Sequence, residues 1–280
     1  MRLFVDNLTN IDFSYLCPKR GLVGETWLAN VELAGELDEQ GMICDFGIVK
    51  KILRNWLEHR IDHCLLVPAN SPEVKTDTQG NQQLASLQFD NSSIEVSAPT
   101  EAITLIDVAE VTPESVADWC AAQMKKEFGS TVAQVKLSFT TEHIESPYYH
   151  YSHGLKKHGG DCQRIAHGHR SKLLIWRNDA LCMDAIQRWA SSWKDIYIAT
   201  EEDLIANDGK SYTFEYTSSQ GFFRLKLPKT SCYMIKTDST VEFIAQHLAN
   251  ETARHYPGDR IRVKAFEGIG KGAIAEALNH

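Results

Sequence analysis

Cys162-Gln163-Arg164-Ile165-Ala166-His167-Gly168-His169 is the stretch on which the reading of this chain turns. Alternate side chains of a strand share a face, so His167 and His169 can address one ion from an extended segment. A third histidine stands upstream in Tyr148-Tyr149-His150-Tyr151-Ser152-His153-Gly154-Leu155, an aromatic run that also reads as a strand. Three neutral imidazoles leave one position of a tetrahedral ion open, as catalytic zinc sites do. Taken alone, a His-x-His pair fits a satisfied core histidine equally well, so the rest of the chain has to decide.

Outward from that stretch, the chain repeats an order. In the first half, residues 25–35 alternate as a strand, and Asp45 caps a helix to about His59 with Phe46, Val49, Ile52, Leu53 and Trp56 at helical spacing. Residues 69–100 are rich in Asn, Gln, Ser and Thr and read as a polar surface excursion, with one short strand at 84–89. A helix from Pro113 to about Phe128 and a strand from Val132 to Thr140 complete the half. The second half has strands over 147–155 and 170–177 and a helix over 180–193, with Leu181, Ile186 and Trp189 as core candidates. Short strands near 211–217 and 222–227, a helix from Thr240 to His255 and a last long strand from Ile261 to Phe266 follow. The expected class is α+β, two tandem units of antiparallel sheet with two helices on one face, divided as 1–145 and 146–280.

Composition narrows the function. The net charge of -8 excludes a general basic surface for nucleic acid or anionic membrane. Seven cysteines, scattered and odd in number, point to a reducing cytosol. The N-terminus shows no hydrophobic signal core, and no run approaches the roughly 18 apolar residues that span a bilayer. A cytoplasmic protein acting on a small molecule is the expectation.

Two further groups of residues bear on chemistry. Asp62 beside His63 can fix an imidazole tautomer or support its cation, although a helix end with a solvated carboxylate reads the same way. Glu267 ends the apolar strand Val263-Lys264-Ala265-Phe266, where a carboxylate can make two parallel hydrogen bonds to an amidine-like edge of a pterin or guanine. Gly268-Ile269-Gly270-Lys271-Gly272 reads as a hairpin turn, since it lacks the spacing of a phosphate loop.

Together these pieces resemble the 6-pyruvoyl-tetrahydropterin synthase and 6-carboxytetrahydropterin synthase family in a tandem form. The second half carries the resemblance through Tyr151-Ser152-His153, Cys162, His167-Gly168-His169 and Val263 to Glu267. The first half carries it through Gly35 to Phe46 and Ile61-Asp62-His63-Cys64-Leu65-Leu66. Each half lacks part of the pattern. Ser14, Val23 and Glu25 stand for the first half's metal histidines, Phe139 for its glutamate with Glu142 out of register, and Asp195-Ile196 for the second half's Asp-His. The resemblance implies tunnelling-fold units closing into barrels as a homo-oligomer. It also implies one composite site per two units: zinc on His153, His167 and His169, Cys162 as base, Glu267 as pterin anchor, and Asp62 and His63 lent by the first half as a proton relay.

The implied substrate is 7,8-dihydroneopterin triphosphate. The expected product is 6-carboxytetrahydropterin, with acetaldehyde and triphosphate, in queuosine biosynthesis. The alternatives are a pyruvoyl-forming synthase and a non-catalytic pterin- or zinc-binding paralogue. Carboxy-forming members typically carry fewer residues, and pyruvoyl-forming members more, between cysteine and His-Gly-His than the four found here, Gln163 to Ala166.

Overall fold

The computed structural model describes residues 1–89, 91–128 and 132–279. The first half runs β1 (Arg2–Cys17), β2 (Gly21–Gly35), α1 (Phe46–Arg60), β3 (Leu65–Pro68), β4 (Val74–Gln79), β5 (Gln82–Phe89), β6 (Ser92–Pro99), β7 (Ile103–Ile106), α2 (Pro113–Met124), β8 (Val132–Thr140). The second runs β9 (Tyr148–His153), β10 (His167–Arg177), β11 (Ala180–Leu181), α3 (Met183–Ser192), β12 (Ile196–Thr200), β13 (Leu204–Asn207), β14 (Ser211–Ser218), β15 (Gly221–Pro228), β16 (Cys232–Ile235), α4 (Val241–His255), β17 (Arg260–Phe266), β18 (Gly272–Leu278). Apart from β11 and β18, the second half repeats the first element for element.

Each half builds its own sheet, in the orders β7-β3-β1-β2-β8 and β16-β12-β9-β10-β17-β18, with β11 paired to β10. The long strands pair antiparallel, as expected of an α+β protein, and two short strands extend each sheet in parallel. Helices cover one face of each sheet. Val49, Leu53 and Leu57 of α1 and Val116, Ala117, Cys120 and Met124 of α2 fill the first core; Ala185, Ile186 and Trp189 of α3 and Ile244, Ala245 and Leu248 of α4 fill the second. Caps fix where these helices begin. Asp45 accepts the amide of Ile48, Thr112 and Ser115 form a capping box before Pro113, and Thr240 accepts the amide of Phe243. Leu181, expected in the core, is exposed because it precedes α3, and Phe46 is exposed where it opens α1.

A third sheet corrects the reading of residues 69–100. They are not a surface loop: β4, β5 and β6 join β13, β14 and β15 in the order β13-β14-β15-β6-β5-β4. The equivalent strands β6 and β15 meet antiparallel at its centre, Val96 opposite Leu225. Ala85, Leu87, Val96 and Ala98 face a core shared with Leu16, Leu65, Tyr197 and Phe214, so both halves depend on it. The last long strand is likewise not Ile261–Phe266, since the glycine-rich turn leads into β18, paired along β17 from Phe266↔Gly272 to Arg260↔Leu278.

The two main sheets touch through glycine. A Cβ on Gly24 of β2 would lie 1.9 Å from the Tyr151 carbonyl oxygen, and one on Gly168 of β10 would lie 2.7 Å from the Gly24 Cα. Beside them the hydroxyls of Ser14 and Ser152 hydrogen-bond across the same interface at 2.7 Å. Only residues without side chains let the backbones come so close.

Candidate functional site

Register at that interface makes the halves superimposable in sequence. Ser14 opposes Gly24 and Ser152 opposes Gly168, so the flanking pairs Tyr15↔Val23 and His153↔His167 are equivalent. The first half's counterpart of His153 is therefore Tyr15, not Ser14; Val23 and Glu25 do stand at the positions of His167 and His169. Two further alignments shift. Ser14↔Leu65 matches Ser152↔Tyr197, which sets Asp195 opposite His63 in the comparison, with Lys194 rather than Asp195 at the position of Asp62. Both His63 and Asp195 adopt left-handed backbone, φ 53° and 55°, in agreement with that equivalence. Ala29↔Phe139 matches Leu173↔Ala265, so Thr141, not Phe139, holds the position of Glu267. In each case a displacement of one or two residues moves a side chain along or across the sheet.

The three histidines converge as the alternation of β10 requires. His153, His167 and His169 are buried, and a nitrogen from each lies within 4.8 Å of the others. The outer nitrogens of His153 and His167 are already hydrogen-bonded. Nδ1–H of His153 donates to the Ser239 carbonyl at 2.9 Å, and Nδ1–H of His167 to the Arg164 carbonyl at 2.9 Å. Nδ1 of His169 lies 3.2 Å from Asp12 Oδ1. The inner Nε2 atoms of His153 and His169 are 3.3 Å apart. Burial first, and the neighbouring histidines next, hold His153 and His167 well below the usual imidazole range, which keeps them neutral. Three buried imidazoles that point nitrogens at one spot are a donor set that fits a divalent transition metal.

Around this cluster lie groups from both halves. Asp62 and His63 follow α1 of the first half, and the ring of His63 is centred 5.0 Å from that of His167. A nitrogen of His63, the Cys162 sulfur and a nitrogen of His167 lie within 4.8 Å of one another. His63 Nδ1 meets Asp62 Oδ2 at 2.8 Å, and Asp62 Oδ1 accepts the Asp12 amide at 2.7 Å. Burial alone would lower the His63 pKa; hydrogen bonds to Asp62 and Cys162 outweigh it and push it up to about 10. Glu267, at the end of β17, brings Oε1 to 3.9 Å from His169 Nε2. All seven residues singled out in the sequence thus border one centre.

The Cys162 turn is held by the third sheet. Gln163 receives Ser219 Oγ and the Gln220 amide on its side-chain oxygen, each at 2.9 Å, and Tyr216 donates to its carbonyl at 2.7 Å. Arg164 donates to Gln220 at 3.1 Å and to the Cys64 sulfur at 3.2 Å. The β14–β15 hairpin therefore anchors the loop that carries the thiol. No local motif marks these partners.

Asp12 is the polar residue of this centre that the sequence reading missed. It is buried in β1 between Ile11 and Phe13, and an ionisable group in such an apolar run is the signal that was available.

A chain of two like halves in one α+β fold, with a buried histidine–thiol–carboxylate centre between them, is the class that fold and site define. Residues 17–147 match the family model described as 6-pyruvoyl tetrahydropterin synthase. Two relatives, from Pyrococcus horikoshii and Pyrococcus abyssi, are provisionally named 6-carboxy-5,6,7,8-tetrahydropterin synthase. The first is 26% identical over 127 residues, covering 45% of this chain and 73% of the relative. The second is 25% identical over 130 residues, with the same two shares. Solved 6-pyruvoyl tetrahydropterin synthases of Plasmodium vivax and Plasmodium falciparum are 18% and 17% identical, each with a TM-score of 0.39, covering 50% of this chain and 97% of theirs. Residues 17–147 of this chain are thus similar to the 6-pyruvoyl tetrahydropterin synthase family. That segment is the half without the three histidines; it contains Asp62 and His63.

Proposed function

We propose that this chain is a zinc-dependent lyase that converts 7,8-dihydroneopterin triphosphate and one water to 6-carboxytetrahydropterin, acetaldehyde and triphosphate, in the route to queuosine. The observation that carries this reading is the meeting of Asp62 and His63 from one half with Cys162 and His167 from the other. Two copies that have each lost different groups retain one full set where they join. The names of the Pyrococcus relatives favour the carboxy product.

In this reading Glu267 accepts two hydrogen bonds from the amino-pyrimidine edge of the pterin and so fixes which side-chain carbon faces the thiol. Zinc, when bound by His153, His167 and His169, supplies Lewis-acid stabilisation of negative charge on the substrate's side-chain oxygens. Cys162 takes the carbon-bound proton. His63, held by Asp62, exchanges protons with the thiol and the substrate oxygens. Burial of the imidazoles excludes bulk water from the reacting face.

The wider setting is part of the same proposal. The halves 1–145 and 146–280 are tandem tunnelling-fold units, and copies of the chain join through sheet edges to close barrels. The cytoplasm suits seven free cysteines. Among the described residues no helix is long and apolar enough to cross a membrane.

The test is product identification with zinc-loaded protein and dihydroneopterin triphosphate. Acetaldehyde with a carboxypterin is expected. A dioxo side chain without acetaldehyde would assign the pyruvoyl-forming reaction, and unchanged substrate would make the chain a non-catalytic paralogue.

A further inference from the structure

Asp12 touches both parts of the composite centre. Its backbone serves the proton-handling pair: its amide donates to Asp62 Oδ1 at 2.7 Å, and its carbonyl accepts the His63 amide at 2.6 Å. Its side chain turns to the other half, with Oδ1 3.2 Å from His169 Nδ1. The carboxylate is itself fixed. Thr26 Oγ1 donates to it at 2.6 Å, and Lys271 Nζ lies 3.2 Å from Oδ2. A Cβ on Gly268 would come 2.4 Å from Oδ1, so the glycine at φ +69° leaves room for the carboxylate.

Among the three histidines, His169 is the one backed by a charge. His153 and His167 donate to peptide carbonyls of their own half, whereas His169 Nδ1 makes no hydrogen bond among the described residues and has the Asp12 carboxylate of β1 in the first half 3.2 Å away. A carboxylate behind a ligating imidazole fixes its tautomer and ring plane and raises its basicity. The same pairing recurs, inverted, on the other side of the interface. There the counterpart of Asp12 is His150 and the counterpart of His169 is Glu25, with Nδ1 and Oε2 3.8 Å apart. An acid–imidazole pair thus spans the interface at both equivalent places, with its members exchanged.

We infer that Asp12 is a positioning residue for the metal centre: its carboxylate orients His169 through Nδ1, leaving Nε2 for a divalent transition metal, so the first half helps hold the ion in addition to lending Asp62 and His63. This rests on the metal-centre reading above. No histidine of the first half is required; the contribution is made one bond-path behind a ligand.

The experiment measures zinc affinity of the full chain by competition with a chromogenic chelator, together with thermal unfolding of the metal-free protein. Asp12→Asn is expected to weaken zinc binding about 10- to 100-fold while leaving the metal-free melting temperature within a few degrees. Lys271→Met removes only the outer ion pair and is expected to change affinity less than about threefold, as for a screened, half-exposed partner. If Asp12→Asn does not fold, Thr26→Val, which frees the carboxylate from its hydroxyl anchor, is expected to weaken zinc about three- to tenfold. Zinc affinity equal to that of the unaltered chain, in whichever of these two variants folds, overturns the inference and leaves the metal centre standing. An unaltered chain that binds no zinc overturns both.

Discussion

The interface between the halves has two ends, and they have gone different ways. At one end, four histidines, a thiol and three carboxylates converge. At the other, the equivalent positions hold Tyr15, Val23, Glu25 and Asp195, and Arg20 ties Tyr15 to Asp195. Arg20 donates to both oxygens of Asp195, at 3.0 and 2.5 Å, and to the Tyr15 hydroxyl at 3.2 Å. His150 donates to the Gly24 carbonyl at 2.8 Å beside Glu25. The difference lies in where the lone pairs point. A centre that leaves its nitrogens aimed at one another is arranged for a guest; at the other end an Arg20–Asp195 ion pair and the apolar Val23 stand where a guest would bind. One scaffold thus supports both outcomes, because close glycine contact fixes the backbone and the side chains alone decide.

Cys162→Ala is the largest expected effect on the live end. Turnover should fall about 10³-fold, the scale of losing a general base, while zinc remains bound at one ion per chain. Loss of zinc together with turnover would make the sulfur a ligand and redraw the centre. The shared backbone is tested by Gly24→Ala. Its Cβ meets carbonyl oxygen rather than a mobile side-chain tip, so destabilisation above about 3 kcal/mol in denaturant unfolding is expected. A neutral result would mean that the ends are not held in register by that contact.

The silent end has a pH signature. Burial pushes the Glu25 carboxyl up to about 7 from 4.5, against a backbone hydrogen bond and the charges of Arg170 and Arg20. A folded-state pKa above the unfolded one contributes stability that is full below the unfolded value and lost as pH rises through the folded value. Between pH 4.5 and about 7 that loss reaches at most about 3 kcal/mol at 1.36 kcal/mol per unit. Glu25→Gln should therefore be more stable than the parent at pH 8 and nearly equal to it at pH 4.5, read from urea midpoints at both. An advantage of the same size at both pH values would place the effect elsewhere.

Much of this was legible in the sequence, for reasons particular to each element. His167 and His169 share a face because β10 is a strand, and period two is visible in one line of residues. Two of the helices announced themselves through Asp45 and Pro113. The third sheet was obscured because Gln83, Ala85 and Leu87 do alternate inward, but among Gln and Ser that read as loop composition. β1 was missed as well: a register shift between Val5 and Thr9, with Asn7 at φ 50°, interrupts its alternation. The assignments of Ser14, Phe139 and Asp195-Ile196 slipped because equivalence along one strand says nothing about register with the next. Asp12 was illegible as a partner of His169 because its only meaningful neighbours lie in the other half, some 150 residues away along the chain.

In the proposed function a half without metal ligands completes the working centre of its twin, and His63→Ala tests this most directly. With zinc content and thermal stability checked on the same sample, turnover of dihydroneopterin triphosphate should drop about 10²- to 10⁴-fold while the ion stays bound. Full turnover in that variant, with zinc in place, would contradict the claim and leave the second half working alone.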